Sequence, residues 1–285
     1  MMRSMFAAVS GLRNHQTMMD VLSSNIANVN TFGYKAQRAT FKDSLYQNLS
    51  GASAPVPPSL GGTNPRQVGL GMSLNSIDSL MTQGNQQSTG VVTDMMIQGD
   101  GFFRVSAPGA TFGGTGGNDM TAGGEQYTRA GNFSFDSQGY LVTSKGQYVL
   151  GVVTATGNVG RIQLDPATTA AVNVDQAGGV SAIDTAGVAT QIGTLSLAKF
   201  ANSSGLERIG DNLYRASNNS GAPVNGQPGG AAGHGVVVPG ALEMSNVDLA
   251  LEFTNMIIAQ RGFQANSRAI TTSDDMLQEL VNLKR

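Results

Sequence analysis

Acid–base or metal chemistry would have to start from histidines and carboxylates, and here they are sparse. The chain has two histidines and no cysteine. His15 falls in an N-terminal run of helical periodicity, one heptad before Leu22, where a seam or surface role outweighs a ligand role. His234 lies in the glycine-rich stretch 221–235, with no acidic or cysteine neighbour. Metal sites gather several such ligands at short spacing. Asp94 and Asp100 flank the start of an apolar run and are the one pair suited to act as acid and base. A glycosidase needs two carboxylates across a sugar cleft, yet Asp before Gly, as at Asp100-Gly101, is ordinary turn chemistry. A secreted glycan-binding or glycan-cleaving protein is therefore the enzymatic alternative. Gly69-Leu70-Gly71 and Gly99-Asp100-Gly101 lack the glycine spacing and the following Lys-Ser/Thr of a phosphate loop. No catalytic residue, cofactor or metal is expected.

The elements that would have to position any site are more informative. Leu242, Leu249, Met256, Phe263, Ile270 and Leu277 recur every seven residues. That spacing marks a helix packed along another helix. Ser245 reads as its N-cap with Asp248 three residues on, and Lys284 and Arg285 suit the negative end of the helix dipole. About forty residues make a rod on the order of 60 Å, longer than a compact domain accommodates. At the other terminus Met5, Leu12, Met19 and Ile26 are again seven apart, flanked by Leu22 and Val29. The two ends are expected to pair, parallel or antiparallel. Their outer faces, Met2, Phe6 and Val9 on one and Phe253, Ile257 and Ile258 on the other, then call for neighbours. Those neighbours are either the protein's own core or further copies.

Composition sets the remaining bounds. The 285 residues carry a formal charge of −2, with 13% charged residues, 38 glycines and no tryptophan. A real core and more than one domain are expected. The charge is too balanced for nucleic acid. The lack of cysteine leaves no disulfide or thiolate chemistry. No run approaches about 18 apolar residues, so no membrane insertion is expected. Ser10, Gly11, Arg13 and His15 interrupt any signal-peptide core. The stretch 31–71, with Pro55, Pro57, Pro58 and Pro65, reads as an extended linker. From about Met72 short apolar runs alternate with glycine and Asp/Asn turns, at Gly99–Gly101, Asp136–Gly139 and Ser144–Gly146. An all-β body over 72–240 follows, with glycine-rich loops at 107–124 and 221–235. The expected fold class is α+β, mainly β with terminal helices. Residues 1–30 and 241–285 form the helical domain.

At this point the residues resemble a known family. The run SGLRNHQTMMDVLSSNIANVNTFGYKAQRATFKDSLYQ, centred on the Asn25 to Lys35 segment, looks like the start of bacterial flagellar rod and hook proteins. IDSLMTQGNQQSTGVVTDMMIQGDGFFRV and YTRAGNFSFDSQGYLV are typical of the group, as is the C-terminal block from Gly240. Asn25, Asn28, Asn30, Gly33, Tyr34, Lys35, Gly99, Gly101 and Phe102 carry the shared motifs. Within the group, GGTNPRQVGLG, MTQGNQQSTG and LQELVNLKR look most like the short hook protein of Gram-positive bacteria. The length of the 50–71 stretch keeps the distal rod protein as the alternative.

The resemblance implies a structural subunit, not an enzyme. It implies terminal helices that line a hollow helical tube and a β-rich domain outside. A hook subunit would form a flexible universal joint passing torque from rod to filament. Implied partners are further copies of the chain, the distal rod protein, the hook cap, the hook–filament junction proteins and the flagellar type III export apparatus. The implied place is the flagellum, at the extracellular hook and basal body, reached without a cleaved signal peptide.

Overall fold

The computed structural model describes residues 2–55, 61–113, 119–122, 124–154, 157–230 and 233–283. The fold is mainly β with one long helix near each terminus. It divides into two units: Met1–Ala27 with Gln37–Leu80 and Asp248–Arg285, and Asn28–Ala36 with Met81–Val247.

The first unit is built from α1 (Met2–Ala27), β1 (Gln37–Asp43), β2 (Tyr46–Ser50), β3 (Arg66–Gly69), β4 (Met72–Ser79) and α2 (Leu249–Asn282). The stretch expected to be an extended linker therefore holds three strands. β1 pairs antiparallel with β4 from Gln37↔Ser79 to Asp43↔Met72, and β2 pairs with β3 as a separate ribbon. Both pairings are long-range matches that proline and glycine content conceals. Of that stretch, residues 56–60 lie outside the described part. The β1–β4 pair is tied to α1, because Asn14 Nδ2 donates to Met72 O at 2.9 Å and Ser10 Oγ accepts from Met72 N at 3.3 Å.

α2 begins later than the heptad spacing predicts. Leu242 lies in the strand Ala241–Glu243, paired with Gln86–Ser88, and is buried in the second unit. Gly240, at φ 73°, supplies the left-handed turn before it. Ser245 is not the cap; its Oγ accepts only from Val247 N. Asp248 is, accepting from Ala250 N at 2.9 Å and Leu251 N at 3.3 Å. A shorter carboxylate reach over the first free N–H groups is what an N-cap requires. Val29 likewise falls outside α1, in the turn after Ala27. Lys284 and Arg285, expected at the helix end, lie outside the described residues.

The second unit holds two larger antiparallel sheets. One runs in the order Glu207–Gly210, Leu213–Arg215, Glu125–Thr128, Phe102–Ser106, Leu197–Lys199, Val224–Gly226. The other runs Thr169–Val174, Gly179–Asp184, Ala189–Leu195, Leu150–Val153, Val159–Arg161, Asp119–Ala122, Thr111–Gly113. The 107–124 and 221–235 stretches, expected as loops, thus contribute edge strands; residues 114–118, 123 and 231–232 of them lie outside the described part. Alternation splits the core. Phe103 and Val105 join Ile97, Leu141, Leu150 and Leu195 in one cluster, while Phe102, pointing the other way, joins Tyr127, Phe200 and Tyr214 in a second.

Candidate assembly surface

The helix pair is antiparallel. Three approaches fix this: Gly11 faces Asn266, His15 faces Gly262, and Asn25 bonds Glu252, so contacts climb α1 as they descend α2. A Cβ on Gly11 would lie 2.7 Å from the Asn266 amide, and one on Gly262 would lie 2.6 Å from the His15 ring. Absent side chains let the backbones approach.

The buried line of the pair coincides with the expected seam only at Leu22. On α2 the buried residues are Glu252, Ala259 and Ser273, which with half-buried Asn266 form a small and polar heptad. On α1 they are Ala8, Gly11, Asn14, Val21, Leu22 and Asn25. The expected apolar seam flanks this line: Met5, Leu12, Met19 and Ile26 on α1, and Met256, Phe263, Ile270 and Leu277 on α2, are all half-buried. Leu249, at the first helical position, is exposed. A single chain therefore covers only part of each apolar stripe. Counting apolar heptads finds the stripe but not its centre, because Ala, Ser, Asn and Glu score poorly in such a count.

The polar members of the buried line are clamps. Asn25, fully buried, accepts from Gln37 N at 2.9 Å and donates to Gln37 O at 2.7 Å and to Glu252 Oε1 at 3.1 Å. One amide thus joins both helices to the first residue of β1. Burial, followed by the neighbouring Asp248, pushes the Glu252 carboxyl above its usual range, and the Asn25 bond opposes that shift.

Large apolar side chains remain uncovered. Met2, Phe6, Phe253, Ile257 and Ile258 are each more than half exposed, and Val9 is 37% exposed. In the β2–β3 ribbon every residue is exposed, Tyr46, Leu49 and Val68 among them, and Leu45 just before β2 is exposed as well. α2 also outruns α1. In the antiparallel register its residues from Met276 onward lie past the first residue of α1, and Met276, Leu280, Val281 and Leu283 are exposed. Contiguous apolar surface of this kind marks interaction sites.

In the β-rich unit the shared motif residues do structural work. Asn28 closes a turn, with O and Oδ1 accepting from Thr31 N and Oγ1, both at 3.1 Å, and Asn30 is exposed. Gly33 at φ 68° passes so close to Ala130 that a Cβ would lie 2.6 Å from its nitrogen. Tyr34 is buried beneath the Arg208 guanidinium. Lys35 Nζ is buried against Glu243 Oε1 at 2.5 Å and Thr82 O at 2.8 Å, and Glu243 Oε2 also accepts from Arg129 at 3.3 Å. Burial, opposed by Glu243, draws the Lys35 amine below its usual range. Gly99 and Gly101, at φ 107° and 138°, make the turn that delivers Phe102 into its cluster, edge-on to Phe200 and Tyr214. Glu243 and Arg129 were invisible as partners in the sequence, since 208 and 114 residues separate the bonded groups.

The candidate catalytic groups do not converge. One concavity of about 590 Å³ is lined by Val153, Gln163, Asp165 and Ile192 among others, and by neither Asp94 nor Asp100. Asp100 is exposed and 3.5 Å from Lys199. His15 lies against α2, and His234 is buried with Nε2 at 2.9 Å from Val224 O. Among the described residues no three His, Asp or Glu side chains cluster as metal ligands. No helix there is long and apolar enough to cross a membrane.

Comparison with known proteins places this architecture. Three family models match: flagella basal body rod protein over residues 5–35, flagellar hook protein FlgE/F/G D1 domain over 96–182, and flagellar basal body rod FlgEFG protein C-terminal over 238–283. The chain is 46% identical over 285 residues to the flagellar basal-body rod protein FlgG of Bacillus subtilis (strain 168), covering all of both chains. It is 37% identical over 286 residues to FlgG of Borreliella burgdorferi, again covering all of both. The flagellar hook protein FlgE of the latter organism is 31% identical, over an alignment of 443 positions that covers all of both chains. Helix-paired termini, a β-rich middle and end-to-end similarity agree: the chain belongs to the flagellar rod and hook protein family, whose members are structural proteins of the flagellum and not enzymes.

Proposed function

We propose that the chain is the distal rod subunit of the flagellar basal body, a self-assembling part of a stiff hollow shaft. Length carries this reading and replaces the hook expectation. Rod relatives align over 285 and 286 positions, residue for residue with this chain, whereas the hook relative spreads the alignment to 443. The hook expectation rested on three short stretches, GGTNPRQVGLG, MTQGNQQSTG and LQELVNLKR.

In this reading the half-buried stripes of α1 and α2 are completed by neighbouring copies. Unlike surfaces that meet in a heterologous, non-closing contact generate an open helical assembly. The β2–β3 ribbon supports stiffness over flexibility. A lone two-stranded ribbon is marginal in water, so its exposed Tyr46 and Leu49 favour a lodging against adjacent copies. The chain's partners are further copies of itself, adjoining flagellar parts and the type III export apparatus.

Electron microscopy of the polymerised chain tests this directly. Straight, rigid tubes are expected. Deleting residues 53–62, part of the segment that joins β2 to β3 in the sequence, is expected to leave polymerisation intact and yield bent or flexible tubes. Curved tubes from the unaltered chain would restore the hook reading.

A further inference from the structure

A small groove opens at the α2 N-terminal end of the helix pair. Met18, Val21 and Leu22 of α1, Leu80, and Leu251 of α2 make its apolar lining, and its volume is about 110 Å³. Small-molecule sites run to roughly 300–1,000 Å³, so this hollow takes a side chain and not a cofactor. Leu251 on its rim is 58% exposed, which leaves the hollow open to solvent.

Glu252 lies in the same wall, only 8% exposed. Its Oε1 accepts from Asn25, while its Oε2 is buried with no hydrogen-bond partner. A buried carboxylate oxygen without a donor has lost its water and gained no partner, which is unfavourable. A basic side chain entering the groove would relieve it.

The opposite end of the pair carries a fitting group. The first turn of α1 has no acidic residue, and Met2, Arg3 and Phe6 are exposed there. Arg3 and Phe6, three apart, share a helix face. Within one chain Arg3 cannot reach Glu252, since about 22 residues of helix, about 33 Å, separate it from Asn25.

We propose that the groove beside Glu252 receives the first turn of α1 from a second copy of this chain, with the Arg3 guanidinium donating to Glu252 Oε2 and Phe6 covering the apolar lining. Opposite charge at opposite ends makes the contact head to tail. It rests on the self-assembly reading and names one interface within it. The raised carboxyl of Glu252 fits: a neighbouring guanidinium would bring it back toward its ordinary range.

The native chain has no cysteine, so an engineered pair reports without background. Met2→Cys combined with Asn255→Cys, which keeps Arg3 and Glu252, polymerised and mildly oxidised, is expected to give a ladder of disulfide-linked dimers, trimers and longer products. The dilute monomer should give none. Normal polymers without a ladder would overturn this interface while leaving self-assembly standing. Failure of the unaltered chain to polymerise at any concentration would overturn both. In cells, a cross-link to a different basal-body protein in place of a second copy would refute the choice of partner. Without cysteines, Arg3→Glu should raise the critical concentration for polymerisation about tenfold or more, and Arg3→Lys should change it little. An unchanged value for Arg3→Glu would count against the contact.

Discussion

Lys35 Nζ and Glu243 Oε1 stand 2.5 Å apart with both side chains out of reach of water, although 208 residues separate them in the chain. Gly33 N adds a bond to Glu243 O at 2.8 Å, and Gly84 N donates to the same carboxylate at 2.9 Å. The shared N-terminal motif is therefore bolted to the strand that precedes α2. The asymmetry of the cluster, two cations on one anion, sets a first prediction. Glu243→Ala would leave Lys35 and Arg129 buried together, and should destabilise the β-rich unit by about 3–5 kcal/mol. Lys35→Met leaves Glu243 with Arg129 and should be milder. Urea unfolding of both variants checks the order; equal losses would contradict it.

Gly33→Ala should be severe despite adding one methyl group. The left-handed φ of 68° disfavours a side chain by roughly 1–2 kcal/mol. The Cβ would also meet the rigid backbone of Ala130. Thermal melting of the β-rich unit should drop by several degrees. Gly146→Ala is the control, with a similar φ of 78° and open space around it, and it should drop less.

Asn25→Ala removes the partner of both polar groups of Gln37 and of Glu252. A loss of about 2–3 kcal/mol in the helical unit is expected. Hydrogen exchange should register it as faster exchange at Gln37 and along the C-terminal half of α1. Unchanged protection would mean the amide is not a clamp.

Glu252→Gln tests pH dependence with a definite sign. The folded carboxyl titrates above its ordinary 4.5, raised first by burial. The associated stability is present in full below the unfolded pKa and disappears as pH climbs through the folded one. The charged groups at this groove are Asp248 on the same helix and Arg38 on β1, whose guanidinium lies 3.8 Å from Asp78. The unaltered monomer should therefore lose stability relative to Glu252→Gln as pH rises above the ordinary 4.5, followed by circular dichroism. A pH-independent difference would refute the assignment. The same substitution should weaken polymerisation at neutral pH.

Met256→Asp or Phe263→Asp should block tube formation and leave the β-rich unit folded. Both residues are half-buried on the flank of the helix pair. Sedimentation and microscopy read out assembly, and normal tubes from either variant would contradict the role given to that stripe.

Both helices and the β-rich middle were legible in the sequence because heptad and alternating spacing survive any tertiary context. What escaped was decided at long range. Leu242 continues the heptad of Leu249 but pairs as a strand, because Gln87 is its partner. β1 lay hidden in a proline- and glycine-rich stretch, since Gln37–Asp43 alternates only weakly and its mate begins at Met72. The centre of the helix pair was missed because Ala259, Asn266 and Ser273 look like surface residues until a facing helix is supplied. Hook against rod was read from short stretches alone, whereas the alignment lengths, visible only with relatives beside the chain, favour the rod reading.

Within the helical unit α2 runs past the start of α1 and leaves Met276, Leu280, Val281 and Leu283 exposed. Four apolar side chains with nothing of α1 alongside them are stabilised by any apolar cover, so the last turns of α2 are where the helix pair has most to gain from a neighbour.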